Sequence, residues 1–179
     1  MGFDSELDAT VANAPEPPVF TASLSGDWIN GSYWTPDHTV TIRVYETDGG
    51  MLIGGPFTQD TDLHGDFNAN LWGEGVNLQP GNHVAVTDNF SGVVKTLTLP
   101  NLTIDTLDPV LDLAGGLAPA DARLSISFNN DQEGIQFDMF STSAGTWQAD
   151  LAAYDFDLTP GSNGNVSITD EDGDVTQVD

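Results

Sequence analysis

Hydrophobic and polar residues alternate with a period of two along much of this chain. Phe20, Ala22 and Leu24 fall on one side of an extended segment. Val40, Ile42 and Val44 do the same in another, with Thr41 and Arg43 opposite. Phe67, Ala69 and Leu71 form a third set, and Val84 and Val86 a fourth. Successive side chains of a strand point to opposite faces, so this spacing predicts short strands that each bury one face. Turn-forming Gly, Asp and Asn clusters at 46–50, 60–65, 79–82 and 88–92 separate them. The best helical candidate, 107–122, is interrupted by Pro109, Gly115, Gly116 and Pro119. Many short strands with such punctuation predict an all-β sandwich or barrel.

The pattern also repeats. Phe20-Thr21-Ala22-Ser23-Leu24 has a counterpart in Leu102-Thr103-Ile104-Asp105-Thr106, and 39–44 matches 123–128. Gly65-Asp66-Phe67-Asn68-Ala69-Asn70-Leu71 matches Gly145-Thr146-Trp147-Gln148-Ala149-Asp150-Leu151. Leu78-Gln79-Pro80-Gly81 matches Leu158-Thr159-Pro160-Gly161, and Val86-Thr87-Asp88 matches Ile168-Thr169-Asp170. The five matches keep their order at offsets of 80 to 84 residues, the drift expected from loops of unequal length. Two tandem units are predicted, 19–101 and 102–179, behind an acidic, proline-rich linker at 1–18.

Units of about 80 residues with a Gly-Asp/Thr-Phe/Trp-x-Ala-x-Leu strand, a Leu-x-Pro-Gly turn and a Val/Ile-rich strand resemble prokaryotic immunoglobulin-like domains, of the Ig and fibronectin-type-III kind. The resemblance covers 19–179 and implies two tandem immunoglobulin-like β-sandwich domains from a large secreted or cell-surface protein. Such domains serve as spacers, adhesive modules or carbohydrate binders. The cysteine pair of antibody-type domains is absent.

Composition narrows the partners. Three basic residues (Arg43, Lys95 and Arg123) stand against 28 acidic ones, for a net charge of −25. Phosphate binding needs clustered Lys and Arg, so nucleic acid and anionic membrane surfaces are disfavoured as partners. Asp outnumbers Glu 22 to 6, as suits turns rather than helices, and abundant acid with almost no lysine also fits salty surroundings that screen repulsion. There is no cysteine, hence no thiol nucleophile and no Cys-based zinc site. No apolar run reaches about 18 residues, the length that spans a membrane. Residues 1–18 lack a signal-peptide pattern, and Met1-Gly2 before an Ala/Pro-rich acidic stretch reads as the start of an excised piece. We expect an extracellular or cell-surface protein whose targeting segment is not part of this chain.

Candidate chemistry is sparse. His38, His64 and His83 all sit in turn settings, outside any hydrolase or metalloprotease motif. Among so many acids only Asp138 lies inside an apolar run, so no acid/base pair stands out and no enzyme is expected. No cofactor is required. Ca²⁺ is the one ion the acids suggest, at Asp170, Asp172 and Asp174 or between the units at Asp105, Asp108 and Asp112. Lys95, on the inward side of its strand, could pair with an Asp, form an isopeptide bond, or guard an edge. Four Asn-x-Ser/Thr sequons, at Asn30, Asn89, Asn101 and Asn165, permit surface glycosylation.

Aromatics give the sharpest pointer. Phe67 and Trp147 occupy matched inward positions and belong to the core. Trp72 falls on the outward side with Asp66, Asn68 and Asn70, and its partner is Ala152. Trp28 and Trp34 are likewise confined to the first unit. A Trp flanked by amides can stack on a sugar ring or anchor a protein interface. The expected ligand platform is therefore Asn68, Asn70, Trp72, Trp28 and Trp34. The expected partner is a protein or glycan at a surface, with self-assembly between neighbouring repeats as a further option.

Overall fold

The computed structural model describes residues 16–179, so most of the proposed linker at 1–18 lies outside the described residues. The first seven strands are β1 (Val19–Ser23), β2 (Trp28–Ser32), β3 (Thr39–Tyr45), β4 (Leu52–Asp60), β5 (Phe67–Asn70), β6 (His83–Asp88) and β7 (Val94–Thr98). The second seven are β8 (Thr106–Asp108), β9 (Leu113–Leu117), β10 (Arg123–Asn129), β11 (Gly134–Phe140), β12 (Thr146–Asp150), β13 (Asn163–Thr169) and β14 (Val175–Val178). The protein is all-β: among the described residues the only helical turns are the 3-10 turns Trp72–Glu74 and Ala152–Tyr154. No helix there is long and apolar enough to cross a membrane.

Alternation became strands where one face could be buried. In β3, Val40, Ile42 and Val44 are fully buried while Thr41 and Arg43 are half-exposed. β4 escapes such a pattern because Leu52, Ile53, Gly54, Gly55 and Pro56 do not alternate. It lies at the edge of its sheet, where proline's missing N–H leaves no ladder bond unmade.

Three sheets form. A four-stranded sheet runs β4-β3-β6-β7 and a three-stranded one β12-β9-β8. The largest runs β11-β10-β13-β14-β1-β2-β5 and draws strands from both ends of the chain. The segments β5-β2-β1 and β12-β9-β8 share one order, as do β4-β3-β6-β7 and β11-β10-β13-β14, each strand recurring seven strands later. Inside, one cluster of buried apolar side chains extends from Phe20 to Leu99 and a second from Leu102 to Val166. Leu24 packs against both.

Corresponding corners are built alike. Asp27 and Asp112 each take a left-handed conformation (φ 50° in both), which Asp tolerates better than most residues. Each carbonyl accepts the N–H of a buried leucine, Leu71 or Leu151. Each carboxylate accepts another leucine N–H, Leu78 at 2.7 Å or Leu158 at 2.9 Å. The match at 102–106 is looser than the sequence suggests. Asp105 donates its N–H to Gly115 and Thr106 is also paired with Gly115, so a bulge delays β8 until Thr106.

The seven-stranded sheet turns one face to both cores. Thr176 on β14 lies opposite both Ala22, in the first core, and Ile168, packed on the second. Cross-strand partners point to the same side, so the other side of this sheet faces away from both cores.

Candidate functional site

The outward face carries a largely polar register, with Ser23 buried in its middle. Asn70, Trp28, Ser23, Gln177, Ser167, Ser125 and Asp138 are successive cross-strand partners on seven neighbouring strands. At the spacing of adjacent strands this row is roughly 29 Å long. Asp138, the acid inside an apolar run, points outward here and pairs with Arg123 at 2.6 Å. Its carboxyl is held below the usual range by the hydrogen bond from that guanidinium.

At the β5 end of the row lies a groove of about 380 Å³ lined by Gly26, Trp28, Asn30, Asn68 and Asn70. Trp28 is paired with Asn70, and Asn30 with Asn68, whose side-chain amide donates to the Asn30 oxygen. Gly26 is required beneath the indole: a Cβ there would stand 2.4 Å from Trp28 Nε1. A larger depression of about 550 Å³ continues past Asn30 and Asn68 to Ser32, Asp62 and Asp66. One half-buried ring beside three amides can stack on an apolar ligand face and exchange hydrogen bonds with hydroxyls around it.

Three of the five expected platform residues therefore meet: Trp28, Asn68 and Asn70. Trp72 is 71% exposed, but β5 ends at Asn70 and the indole belongs to the following 3-10 turn rather than to the strand. Trp34 has to be withdrawn. It is buried, donates its indole N–H to Val19 O at 2.9 Å and packs edge-on against Phe67. Its counterpart is Ala118, since Trp34 N–H donates to Gly65 O as Ala118 N–H donates to Gly145 O. In the second core Trp147 fills the volume and its indole reaches Thr103 O at 3.0 Å. Trp34 with Phe67, and Ala118 with Trp147, are two divisions of a similar core volume. Asn30 and Gly26 were missed, although Trp28, Asn30 and Ser32 alternate with the buried Ile29 and Gly31.

A second constellation lies where β1 meets β14. These strands pair in parallel, with Thr21 opposite Val175, Ala22 opposite Thr176 and Ser23 opposite Gln177. Asp174, fully buried, immediately precedes β14 and accepts the N–H of Phe20 at 2.9 Å. Its other oxygen faces Lys95 Nζ at 3.3 Å without an aligned hydrogen bond, while that ammonium donates to the Asp172 carbonyl at 2.8 Å. Burial pushes the Asp174 carboxyl upward, against the Phe20 N–H and Lys95. Lys95 is thus an inward lysine that reaches from β7 to the turn before β14.

The other candidate metal-binding acids are engaged in hydrogen bonds within the chain. Asp108 caps the N–H groups of Val110 and Leu111, Asp105 accepts from the Thr103 hydroxyl, and Asp112 braces Leu158. Asp170 accepts from the N–H groups of Asp172 and Asp174, both at 2.9 Å. Among the described residues no three acidic or histidine side chains gather as a metal site.

No family model matches the chain, and no curated protein matches it. Solved structures similar to it include two from large adhesins. One is a crystal structure of a tetra-tandem repeat from the extending region of a large adhesion protein, at TM-score 0.31 and 14% identity, covering 90% of this chain and 47% of that one. The other concerns host cell surface retention of a 1.5-MDa bacterial ice-binding adhesin, at TM-score 0.24 and 11% identity, covering 92% of this chain and 63% of that one. The chain spans less than two thirds of either.

Proposed function

We propose that the protein is a non-catalytic structural module of a larger surface or secreted protein, and that it resists tension along the chain. It consists of two tandem immunoglobulin-like sandwich units, 19–101 and 102–179, behind the linker 1–18. One observation supports this above others: the first and last described strands, β1 and β14, are a parallel hydrogen-bonded pair. Tension entering before Val19 and leaving after Val178 pulls parallel partners from opposite ends. It then shears their hydrogen bonds together instead of opening them one after another. The Phe20–Asp174 bond at one end and the Leu24 N–H to Gln177 O bond at the other, each 2.9 Å, bracket that pair. Single-molecule pulling between the chain ends tests it against pulling between a Ser25→Cys attachment and the C-terminus, which peels the pair from one end. A clearly higher unfolding force in the first geometry is expected; equal forces would remove the proposal.

A glycan-binding role is the second reading, favoured by the groove that joins Trp28 to Asn30, Asn68 and Asn70. Polysaccharide pull-down should lose retention with Trp28→Ala and keep it with Trp72→Ala. No retention by the unmodified chain, or dependence on Trp72 alone, would exclude this platform.

A further inference from the structure

The groove beside Trp28 and the larger depression next to it are both lined by Asn30 and Asn68, so the two form one continuous trough. It follows β2 from Trp28 past Asn30 to Ser32, four residue steps that span roughly 13 Å. That is longer than a single sugar ring. The fold makes such a hollow twice. β9 and β12 hold the places of β2 and β5 in the shared sheet order, and a depression of about 400 Å³ lies beside them as well. Gly115 pairs there with Gln148 as Asn30 does with Asn68, and Leu113 with Asp150 as Trp28 does with Asn70. Sheet geometry therefore accounts for the hollow but not for the indole and amides that line it beside β2.

The lining changes in kind along the trough. At the Trp28 end, the Asn70 oxygen accepts the Gly73 N–H at 3.2 Å and the Asn30 oxygen accepts from Asn68. The amide N–H groups of Asn30 and Asn70 then remain to donate to a ligand. At the far end, Asp62 is fixed by accepting the N–H groups of Asp66 at 3.0 Å and His64 at 2.8 Å. Those bonds hold its carboxyl below the usual range. The Asp66 side chain beside it is exposed. None of the chain's three Lys and Arg residues lines either depression. An anionic chain would bring its charges to these carboxylates with no cation to meet them. Hydroxyl groups both donate and accept, so they suit amides at one end and carboxylates at the other.

We infer that the trough binds a neutral polysaccharide of equatorially substituted, glucan-type rings, extended along β2 with one ring on the Trp28 indole and the chain continuing over Ser32 and Asp66. An all-equatorial pyranose turns its C–H bonds to its two faces and its hydroxyls to its rim. The face stacks on the indole while the rim meets the amides and carboxylates. The inference rests on the glycan-binding reading above and specifies the charge, ring type and length of the ligand.

Titration calorimetry of the whole chain with cellohexaose, cellobiose and hexagalacturonate tests it. Cellohexaose should bind more tightly than cellobiose by on the order of tenfold, the worth of one hydrogen bond to a charged group. Asp66→Ala, at an exposed side chain, should abolish that advantage and leave cellobiose binding unchanged. Trp28→Leu, which copies Leu113 at the matching place, should weaken both, and Trp72→Ala neither. Hexagalacturonate should not bind. Equal affinity for the two neutral sugars, an advantage that survives Asp66→Ala, binding of hexagalacturonate, or no binding by either neutral sugar would each overturn the inference. In any of these cases, Trp28-dependent retention of another polysaccharide in the pull-down above keeps the glycan reading. Indifference of every retained polysaccharide to Trp28 removes that reading along with the inference.

Discussion

Replacing Lys95 by Met removes one ammonium while keeping most of its apolar stem, and so isolates the charge that links β7 to the start of β14. Asp174 is fully buried and Lys95 is 12% exposed at its side chain. Removing one member of a buried pair typically costs roughly 3–5 kcal/mol, because the remaining charge is stranded. The cost here should be less, about 2 kcal/mol, since the ammonium keeps some contact with solvent and Phe20 still donates to the carboxylate. For a protein of this size that corresponds to a fall of about 1 M in the urea midpoint at neutral pH. The pH dependence identifies the cause. Burial already raises the Asp174 pKa, so its ionised form disfavours the fold; that penalty is absent below the unfolded value and sets in as pH rises through the folded one. Lys95 limits it, so Lys95→Met should matter at neutral pH and much less in acid, where the stranded carboxylate takes up a proton. Lys95→Met/Asp174→Asn should then be more stable at neutral pH than Lys95→Met alone, because the amide oxygen can still accept from Phe20. Urea titrations followed by tryptophan fluorescence at both pH values complete the cycle. A cost independent of pH, or strictly additive single effects, would show that Asp174 is not held as a buried anion by Lys95.

Asp88 should behave in the opposite sense. Burial opposes its ionisation, but the Thr35 hydroxyl and the N–H groups of Ser91 and Phe90 outweigh it and hold the carboxyl well below the usual range. Its contribution is complete above the unfolded value of 3.8 and is lost only as pH falls below it, so Asp88→Asn should cost about 2 kcal/mol at neutral pH, the difference from the parent shrinking in strong acid. Gly65→Ala should destabilise far more than Gly75→Ala in thermal melts. Both glycines have similar positive φ, 81° and 75°, but an added Cβ would stand 2.0 Å from Trp34 O in the first case and meet nothing in the second. Ca²⁺ and Mg²⁺ at equal ionic strength should raise Tm alike, since Asp108 and Asp112 already accept backbone N–H groups and no three acids gather among the described residues; a shift selective for Ca²⁺ would reveal a site that gathers on binding.

The sequence was most informative where a residue's role depends on its near neighbours. Period-two spacing marks Val40, Ile42 and Val44 as one buried face, because a strand's geometry is local. The matched inward positions of Phe67 and Trp147 follow from the same rule, and both are buried. Asn68 and Asn70 were likewise readable as outward neighbours. Trp34 shows where this ends. Residues present in only one unit were expected to mark function, but Trp34 differs from Ala118 because Phe67 differs from Trp147, and a core conserves total volume rather than each contributor to it.

Alternation and repetition in the sequence thus point to β-strands in two series and to the polarity of their faces. Which edges meet was settled only by tertiary structure. Phe20 and Asp174, 154 residues apart, are joined by one hydrogen bond, and Lys95 finds its acid across the boundary between the series. Backbone N–H and C=O groups are the same at every edge, so a strand's own side chains do not name its partner. Packing two cores on one side of a seven-stranded sheet set β14 beside β1, and left β7 and β8 at the ends of separate sheets.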